Sequence, residues 1–134
     1  MRLRAVACVA ALAALTSCSS SDEEVADLCG DLRSFGATFE LLLQPQADTT
    51  VGEVRGALEK VAPYLGRVAG VDVTPEELDA EIAAVEETFR DALEGLGDDE
   101  SSSRVDDRLR VDRPRLGNVL AEAAAVLGCD AGAV

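Results

Sequence analysis

The length, composition and charge of the chain limit what it can be. Its 134 residues suffice for one domain, and 48% of them are hydrophobic, which is typical of a globular protein. Histidine is absent, which excludes Ser-His and Cys-His triads and removes the commonest metal-ligating side chain. With 26 acidic and 12 basic residues the formal net charge is −14, so we expect no nucleic acid partner and no flat adsorption on anionic lipid.

The first 18 residues have the organisation of an export signal. Arg2 and Arg4 give a positive start, and residues 5–15 form an uninterrupted apolar run that is too short to span a bilayer. The run leads into Leu15-Thr16-Ser17-Cys18, which resembles the lipobox of bacterial lipoproteins. This resemblance implies that the thiol of Cys18 receives a diacylglyceryl group and that a dedicated peptidase cuts before it. The alternative is an ordinary signal peptide in which Cys18 has no special role.

On the lipoprotein interpretation the chain has three parts. Residues 1–17 are a cleaved signal peptide, residues 18–22 are a serine-rich tether, and residues 23–134 are a helical domain. Two acyl chains anchor a protein stably where one does not. We therefore expect the domain to be held at the extracytoplasmic face of the bacterial cell membrane through Cys18.

The first predicted helix begins near Asp22 and ends before Pro45. Ser21 and Glu24 have the spacing of a capping box, which favours a helix start at this point. Apolar residues recur at steps of three and four, which is the period of one helix face: Val25, Leu28, Leu32, Phe35, Phe39 and Leu42.

The second predicted helix follows another capping box, formed by Thr50 and Glu53, and Gly70 is its expected end. Pro63 lies inside this helix and is expected to kink it. The neighbouring Tyr64 is expected to be half-buried, since tyrosine suits boundary positions. The apolar seam of the helix consists of Val51, Val54, Leu58, Val61, Leu65 and Val68.

The third predicted helix has a strong start signal, with Thr74 as the N-cap, Pro75 at the first helical position and Glu77 at the third. Gly97 is its expected end. The apolar seam consists of Leu78, Ile82, Val85, Phe89, Ala92 and Leu96.

The fourth predicted helix is less regular. Ser103 is its expected cap and Gly128 its expected end. Asp112 occupies a seam position and Pro114 follows, which predicts either a short helix up to about Val111 followed by a longer one, or a single kinked helix. The apolar seam consists of Val105, Leu109, Leu116, Val119, Ala123 and Val126.

Short loops between these four segments favour an all-α fold, an antiparallel up-down-up-down four-helix bundle. In such a bundle Cys29, early in the first helix, and Cys129, just past the fourth, lie at the same end. An oxidising compartment permits a disulfide between them, and they do not form a CxxC redox motif. We predict that this disulfide closes the bundle; two separate thiols are the alternative.

Three clusters of charge were candidates for chemistry. Asp98, Asp99 and Glu100 are consecutive acids but lack the spacing that wraps a calcium ion, so a solvated turn is expected. The third helix carries acids around an exposed face, which does not suit the paired carboxylates of a glycosidase; they are Glu76, Glu77, Asp79, Glu81, Glu86 and Glu87. We expect five arginines to pair within the domain, a partner site being the alternative; they are Arg104, Arg108, Arg110, Arg113 and Arg115.

As a whole the chain resembles the small alanine-rich helical lipoproteins of actinobacteria, and the specific part of this resemblance is confined to residues 1–18. It offers no catalytic motif, so we predict no catalytic, cofactor-binding or metal-ligating residue and no enzymatic activity. The sequence specifies no oligomeric state.

We predict a lipid-anchored module that binds another envelope protein or serves a structural role. The alternative is a carrier of a lipid or another small apolar ligand between the helices near Pro63. A buried cavity above about 300 Å³ would favour the carrier, and a filled core would favour the interaction module.

Overall fold

The computed structural model describes residues 22–129, and this part of the chain is helical. Helix α1 covers residues 22–34, and it is followed by α2 (Gly36–Leu43), α3 (Val51–Ala69), α4 (Glu76–Leu93), α5 (Ser103–Leu109) and α6 (Asp112–Leu127). Within residues 22–129 no strand forms, and an isolated β-bridge joins Thr50 to Ser101. The all-α class is therefore confirmed. The predicted signal peptide and Cys18 lie outside the described residues.

The helices pack around one apolar core. Helix α3 contacts α2 and α4, α6 contacts α4 and α2, and α5 lies against α4 and α6. All six predicted seam residues of α3 are at most 5% exposed, as expected for a helix with an apolar stripe that faces a core. Several core residues were not predicted as seam positions: Ala57, Tyr64, Leu93, Leu120, Ala124 and Leu127.

The first predicted helix is divided at Phe35. The hydroxyl of Ser34 donates to the carbonyl oxygen of Gly30 at 2.9 Å, and such bonds to position i−4 bend helices. Backbone hydrogen bonds from Phe35 N to Asp31 O and from Phe39 N to Phe35 O cross the break. Helices α1 and α2 thus stay connected by helical hydrogen bonds, and we treat them together as the α1–α2 rod.

Helix α3 follows the prediction closely. The hydroxyl of Thr50 accepts from the N–H of Glu53 at 3.2 Å, and the carboxylate of Glu53 accepts from the N–H of Thr50 at 2.8 Å, so the capping box is confirmed. The helix continues through Pro63 to Ala69, and Gly70 caps it.

Both ends of α4 differ from the prediction. The helix begins at Glu76, and the hydroxyl of Thr74 donates to the carbonyl oxygen of Val68 at 2.7 Å instead of capping it. The helix ends at Leu93 and not at Gly97, because the backbone is already extended at Glu94, with ψ 135°, and Gly95 then takes a left-handed φ of 79°.

The fourth predicted segment consists of two helices, α5 and α6, which confirms the first of its two alternatives. The short α5 ends at Leu109, and α6 starts at Asp112. Gly128 ends α6 with φ 69°, a conformation that favours glycine. Val111, at the junction, is 71% exposed.

Cys29 and Cys129 form the predicted disulfide, with their Cα atoms 5.5 Å apart. It ties α1 to the residue that follows α6 and spans a sequence separation of 100.

Candidate functional site

The acidic turn at residues 98–100 is occupied by internal contacts. Asp98 pairs with the guanidinium of Arg55, and the carboxylate of Glu100 accepts from the N–H of Gly97 at 2.7 Å. Within residues 22–129, no group of three histidine, cysteine, aspartate or glutamate side chains is placed to hold a metal ion. These contacts hold the turn against α3 and bond it internally.

Two glutamates of α4 have perturbed pKa values. The hydrogen bond from Arg115 to Glu81, at 2.9 Å, lowers the pKa of Glu81. Burial raises the pKa of Glu86, and the nearby charge of Arg90 opposes this effect. The two groups lie five residues apart on one helix and each faces its own arginine, so they do not form a convergent pair of carboxylates.

The arginines of residues 104–115 pair within the domain, as predicted. Arg115 bridges Glu81 of α4 and Asp112 at 2.9 Å each. Arg113 pairs with Asp106 at 2.9 Å, and its Nε donates to the carbonyl oxygen of Leu42 at 3.2 Å. The cluster therefore ties α6 to its neighbours.

Tyr64 is more buried than predicted. It is only 2% exposed, so the expectation of a half-buried boundary residue is wrong. Its ring packs against Phe35 and Phe39 at centroid distances of 5.8 and 5.9 Å, so the three rings lie together between the α1–α2 rod and α3. The phenolic oxygen has no hydrogen-bond partner in the described part of the chain, and burial raises the pKa of Tyr64 to about 12.

A cleft with a mainly apolar lining lies between the α1–α2 rod and α6. We call it the apolar cleft, and its volume is about 310 Å³.

 A separate cleft between α3 and α4 has a volume of about 370 Å³. Five uncharged residues form most of the lining of the apolar cleft, and Glu40 and Gln44 stand at its rim; the five are Leu32, Gly36, Phe39, Leu43 and Leu120.

Gly36 adds no side chain to the lining of the apolar cleft, and Gly117 lies beside the lining residue Leu43. A Cβ atom added at Gly36 would meet nothing within 4 Å, and one added at Gly117 would meet only Leu43, at 3.9 Å. The disulfide ties the rod to the end of α6 on one side of the cleft, and Arg113 ties Leu42 to the start of α6 on the other. The two walls are therefore held together at both ends and left apart between them.

A second cavity adjoins the apolar cleft and shares Glu40 and Gln44 with it. We call it the acidic cavity; its volume is about 330 Å³, and its lining also includes Asp48 and Glu53. Glu53 is engaged in the capping box, whereas Glu40 and Asp48 form no ion pair within residues 22–129. Apolar and acidic surfaces therefore meet at Glu40.

The sequence prediction missed this site. The spacing of Leu32, Phe39 and Leu43 is that of any helix face that packs on a core, so it does not indicate a cleft. The fourth apolar lining residue, Leu120, is about eighty residues distant in sequence. The signal that could have been used is the pair of glycines, Gly36 and Gly117, inside segments that are otherwise rich in helix-forming residues.

Comparisons of the chain with protein-family models, with curated proteins and with solved structures find no match. Between residues 22 and 129, none of the helices is both long enough and apolar enough to cross a membrane.

Proposed function

We propose that this chain is an extracytoplasmic lipoprotein, anchored through Cys18, whose helical domain binds another molecule and does not catalyse a reaction. The observation that carries the proposal is the Cys29–Cys129 disulfide. Disulfides persist in oxidising compartments outside the cytosol. Export is also what the apolar run and the lipobox-like Leu15-Thr16-Ser17-Cys18 predict.

We propose that the domain is an up-down-up-down bundle of four rods, namely α1–α2, α3, α4 and α5–α6. The pattern of helix contacts supports a ring in which each rod touches the next. The disulfide joins the first rod to the end of the last, and these points meet when the number of antiparallel rods is even. The Thr50–Ser101 bridge between two interhelix loops supports the same arrangement.

In this arrangement the disulfide end of the bundle faces the membrane. The tether then consists of residues 18–21 and not 18–22, because α1 already includes residue 22. At about 3.5 Å per extended residue it holds the bundle within about 15 Å of the lipid surface. The loops that contain Thr50 and Ser101 then point away from the membrane, where an envelope partner can reach them.

The filled core favours an interaction module over a carrier with a deeply buried ligand. The buried apolar side chains of the core are at most 6% exposed, and the aromatic rings of Tyr64, Phe35 and Phe39 pack together between the α1–α2 rod and α3. The apolar cleft favours a second candidate function, a carrier that holds a small ligand at the surface between the α1–α2 rod and α6.

The anchoring proposal is tested by mass spectrometry of the chain isolated from bacterial membranes. We expect the amino-terminal peptide to begin at Cys18 and to carry a diacylglyceryl group, and we expect Cys29 and Cys129 to resist alkylation until they are reduced. Cys18→Ser should abolish membrane retention, whereas the matched Cys8→Ser should not. An unmodified Cys18 in the wild-type chain would overturn the proposal.

The binding role is tested by recovery of the chain from detergent-solubilised membranes, with identification of any protein and lipid that copurify. A partner protein supports the interaction module, and a small apolar molecule supports the carrier. Recovery of neither, from membranes in which Cys18 is lipidated, counts against both.

A further inference from the structure

The junction of the apolar cleft and the acidic cavity has the two chemical parts of a site for an amphiphile. One part is lined mainly by Leu32, Phe39, Leu43 and Leu120, and the other is lined by polar and acidic side chains. They share Glu40, so a ligand that fills the cleft places its polar end beside this carboxylate.

We propose that the apolar cleft binds a cationic amphiphile, a molecule with a short hydrocarbon part and a protonated amine that pairs with Glu40. This inference names a ligand class for the carrier and rests on the proposed binding role of the domain. It does not depend on the lipid anchor.

The size and lining of the cleft limit how large the hydrocarbon part of the ligand can be. A volume of about 310 Å³ is that of about ten water molecules at about 30 Å³ each. Such a space accepts a short chain or a single ring system and is too small for a diacyl lipid. An apolar lining with few polar groups at one end is also the usual composition of a ligand pocket.

The acidic surroundings of the cleft favour a cationic head group on the ligand. None of the described residues that line the cleft or the acidic cavity is basic. An anionic head group would lie beside Glu40 and close to Asp48, and like charges repel. A cationic head group would gain an ion pair with Glu40, whose carboxylate forms no ion pair with the described residues.

Two larger clefts with a mainly apolar lining lack this combination. The one between α2 and α3, of about 410 Å³, includes Lys60 beside Glu53. The cleft between α3 and α4 is lined by both signs of charge, including Arg55 and Arg90 beside Glu59 and Asp91. An amine there would meet arginine as well as carboxylate. The apolar cleft is therefore the better site for a cation.

The test is calorimetric titration of the full chain with three probes that share a ten-carbon chain: decylamine, decanol and decanoate. All are used at neutral pH, the two charged probes below their micelle concentrations and decanol below its solubility limit. The chain carries Cys18→Ser so that no acyl group competes, and the disulfide is intact. We expect saturable binding of decylamine at one site, several-fold tighter than decanol, with decanoate weakest. Residues 1–21 are the same in every variant, so any binding by that segment cancels.

Two matched pairs of variants locate the site. Gly36→Leu fills the cleft and should weaken decylamine binding at least tenfold, whereas Gly66→Leu, on open surface of α3, should leave it unchanged. Glu40→Gln should weaken decylamine about two- to fivefold, the effect of one partly exposed ion pair, and leave decanol unchanged. Glu87→Gln, an exposed acid of α4 that lines neither cavity, is its control.

The outcomes separate this inference from the proposed function. Decanoate that binds as tightly as decylamine, absence of saturable decylamine binding, or binding that Glu40→Gln leaves unchanged would each overturn it. Because Glu40 is exposed, its glutamine variant carries the test even if Gly36→Leu does not fold. Loss of this site leaves the processing of Cys18 untouched, and an unmodified Cys18 in the native chain leaves the cleft intact.

Discussion

The contact between the start of α3 and the acidic turn gives the sharpest test of the packing. A Cβ atom added at Gly52 would lie 2.9 Å from the Cβ of Asp98 and 3.1 Å from its carbonyl oxygen. That carbonyl already accepts the N–H of Gly52 at 3.0 Å, and the carboxylate of Asp98 pairs with Arg55. Asp98 is therefore held from two sides, and Gly52→Ala must displace backbone and not merely a flexible side chain.

Gly66→Ala in the same helix provides the matched control. An added Cβ at Gly66 meets nothing within 4 Å, so the substitution should stabilise the domain by about 0.5–1 kcal/mol through helix propensity and unfolded-state entropy. Gly52→Ala carries a similar propensity gain, and the overpacking penalty of about 1–3 kcal/mol is added to it. The two variants should therefore differ by about 1–3 kcal/mol, with Gly52→Ala the less stable.

Urea unfolding followed by circular dichroism measures this difference, provided that the slope of the transition is the same for both variants. Equal stability of Gly52→Ala and Gly66→Ala would refute the reasoning, because it would mean that the 98–100 turn moves away from α3 without loss.

Three further predictions concern the bridge, the buried phenol and one arginine. Replacing Cys29 and Cys129 by alanine should lower the free energy of unfolding by about 4–5 kcal/mol, the chain-entropy value for a loop of about 100 residues, measured by urea unfolding against the oxidised wild type. Absorbance titration should show Tyr64, which is the only tyrosine in a chain without tryptophan, ionising near pH 12 in the folded protein and near pH 10 in urea. Because its folded pKa is raised, stability should be unaffected below about pH 10 and fall by up to about 1.4 kcal/mol per pH unit between 10 and 12, and Tyr64→Phe should remove this contribution. Arg55→Met should cost about 1–3 kcal/mol because the carbonyl oxygens of Leu93 and Leu96 lose the guanidinium as a donor, whereas Arg104→Met, which breaks an exposed pair 3.8 Å long, should cost under about 0.5 kcal/mol.

Each of these has a contrary result. An unchanged free energy of unfolding after replacement of Cys29 and Cys129 by alanine would show that these two positions stay close in the unfolded chain. A folded-state midpoint near pH 10 would show that the phenol of Tyr64 is hydrated. Equal losses for the two arginine variants would show that the contacts of Arg55 to backbone carbonyls contribute no more than a surface ion pair.

The helices could be predicted from the sequence because their signals are local. A period of three and four, a capping box at Thr50 and Glu53, and glycines at positions 70 and 128 each act within a few residues. The disulfide could be predicted as well, because the positions of Cys29 and Cys129 agree with an even number of rods.

Features that depend on contacts between distant residues were missed. The early end of α4 coincides with the guanidinium of Arg55, which donates to the carbonyl oxygens of Leu93 and Leu96 from a different helix. The apolar residues keep the same helical period on both sides of the break at Phe35, so the period does not reveal the break. Tyr64 is fully buried because Phe35 and Phe39 of the α1–α2 rod pack against its ring. The sequence of α3 alone does not indicate this contact.

The domain can leave the apolar cleft unfilled because the disulfide supplies more stability than the cleft costs. Positive φ occurs at Gly95 and Gly128 among the described residues, so the backbone does not require glycine at Gly36. Alanine there would meet no atom within 4 Å and would remove the penalty of glycine in a helix, about 0.5–1 kcal/mol. A larger side chain would add buried apolar area at about 25 cal/mol per Å². The seam between the rod and α6 is thus left underpacked at a cost of about 1 kcal/mol or more, which the bridge from Cys29 exceeds severalfold. A covalent tie at one end makes this open seam tolerable. We expect the binding site of the domain to lie in it and not in the cleft between α3 and α4, because the lining of the apolar cleft is mainly apolar and holds no basic residue, whereas the other cleft carries both signs of charge.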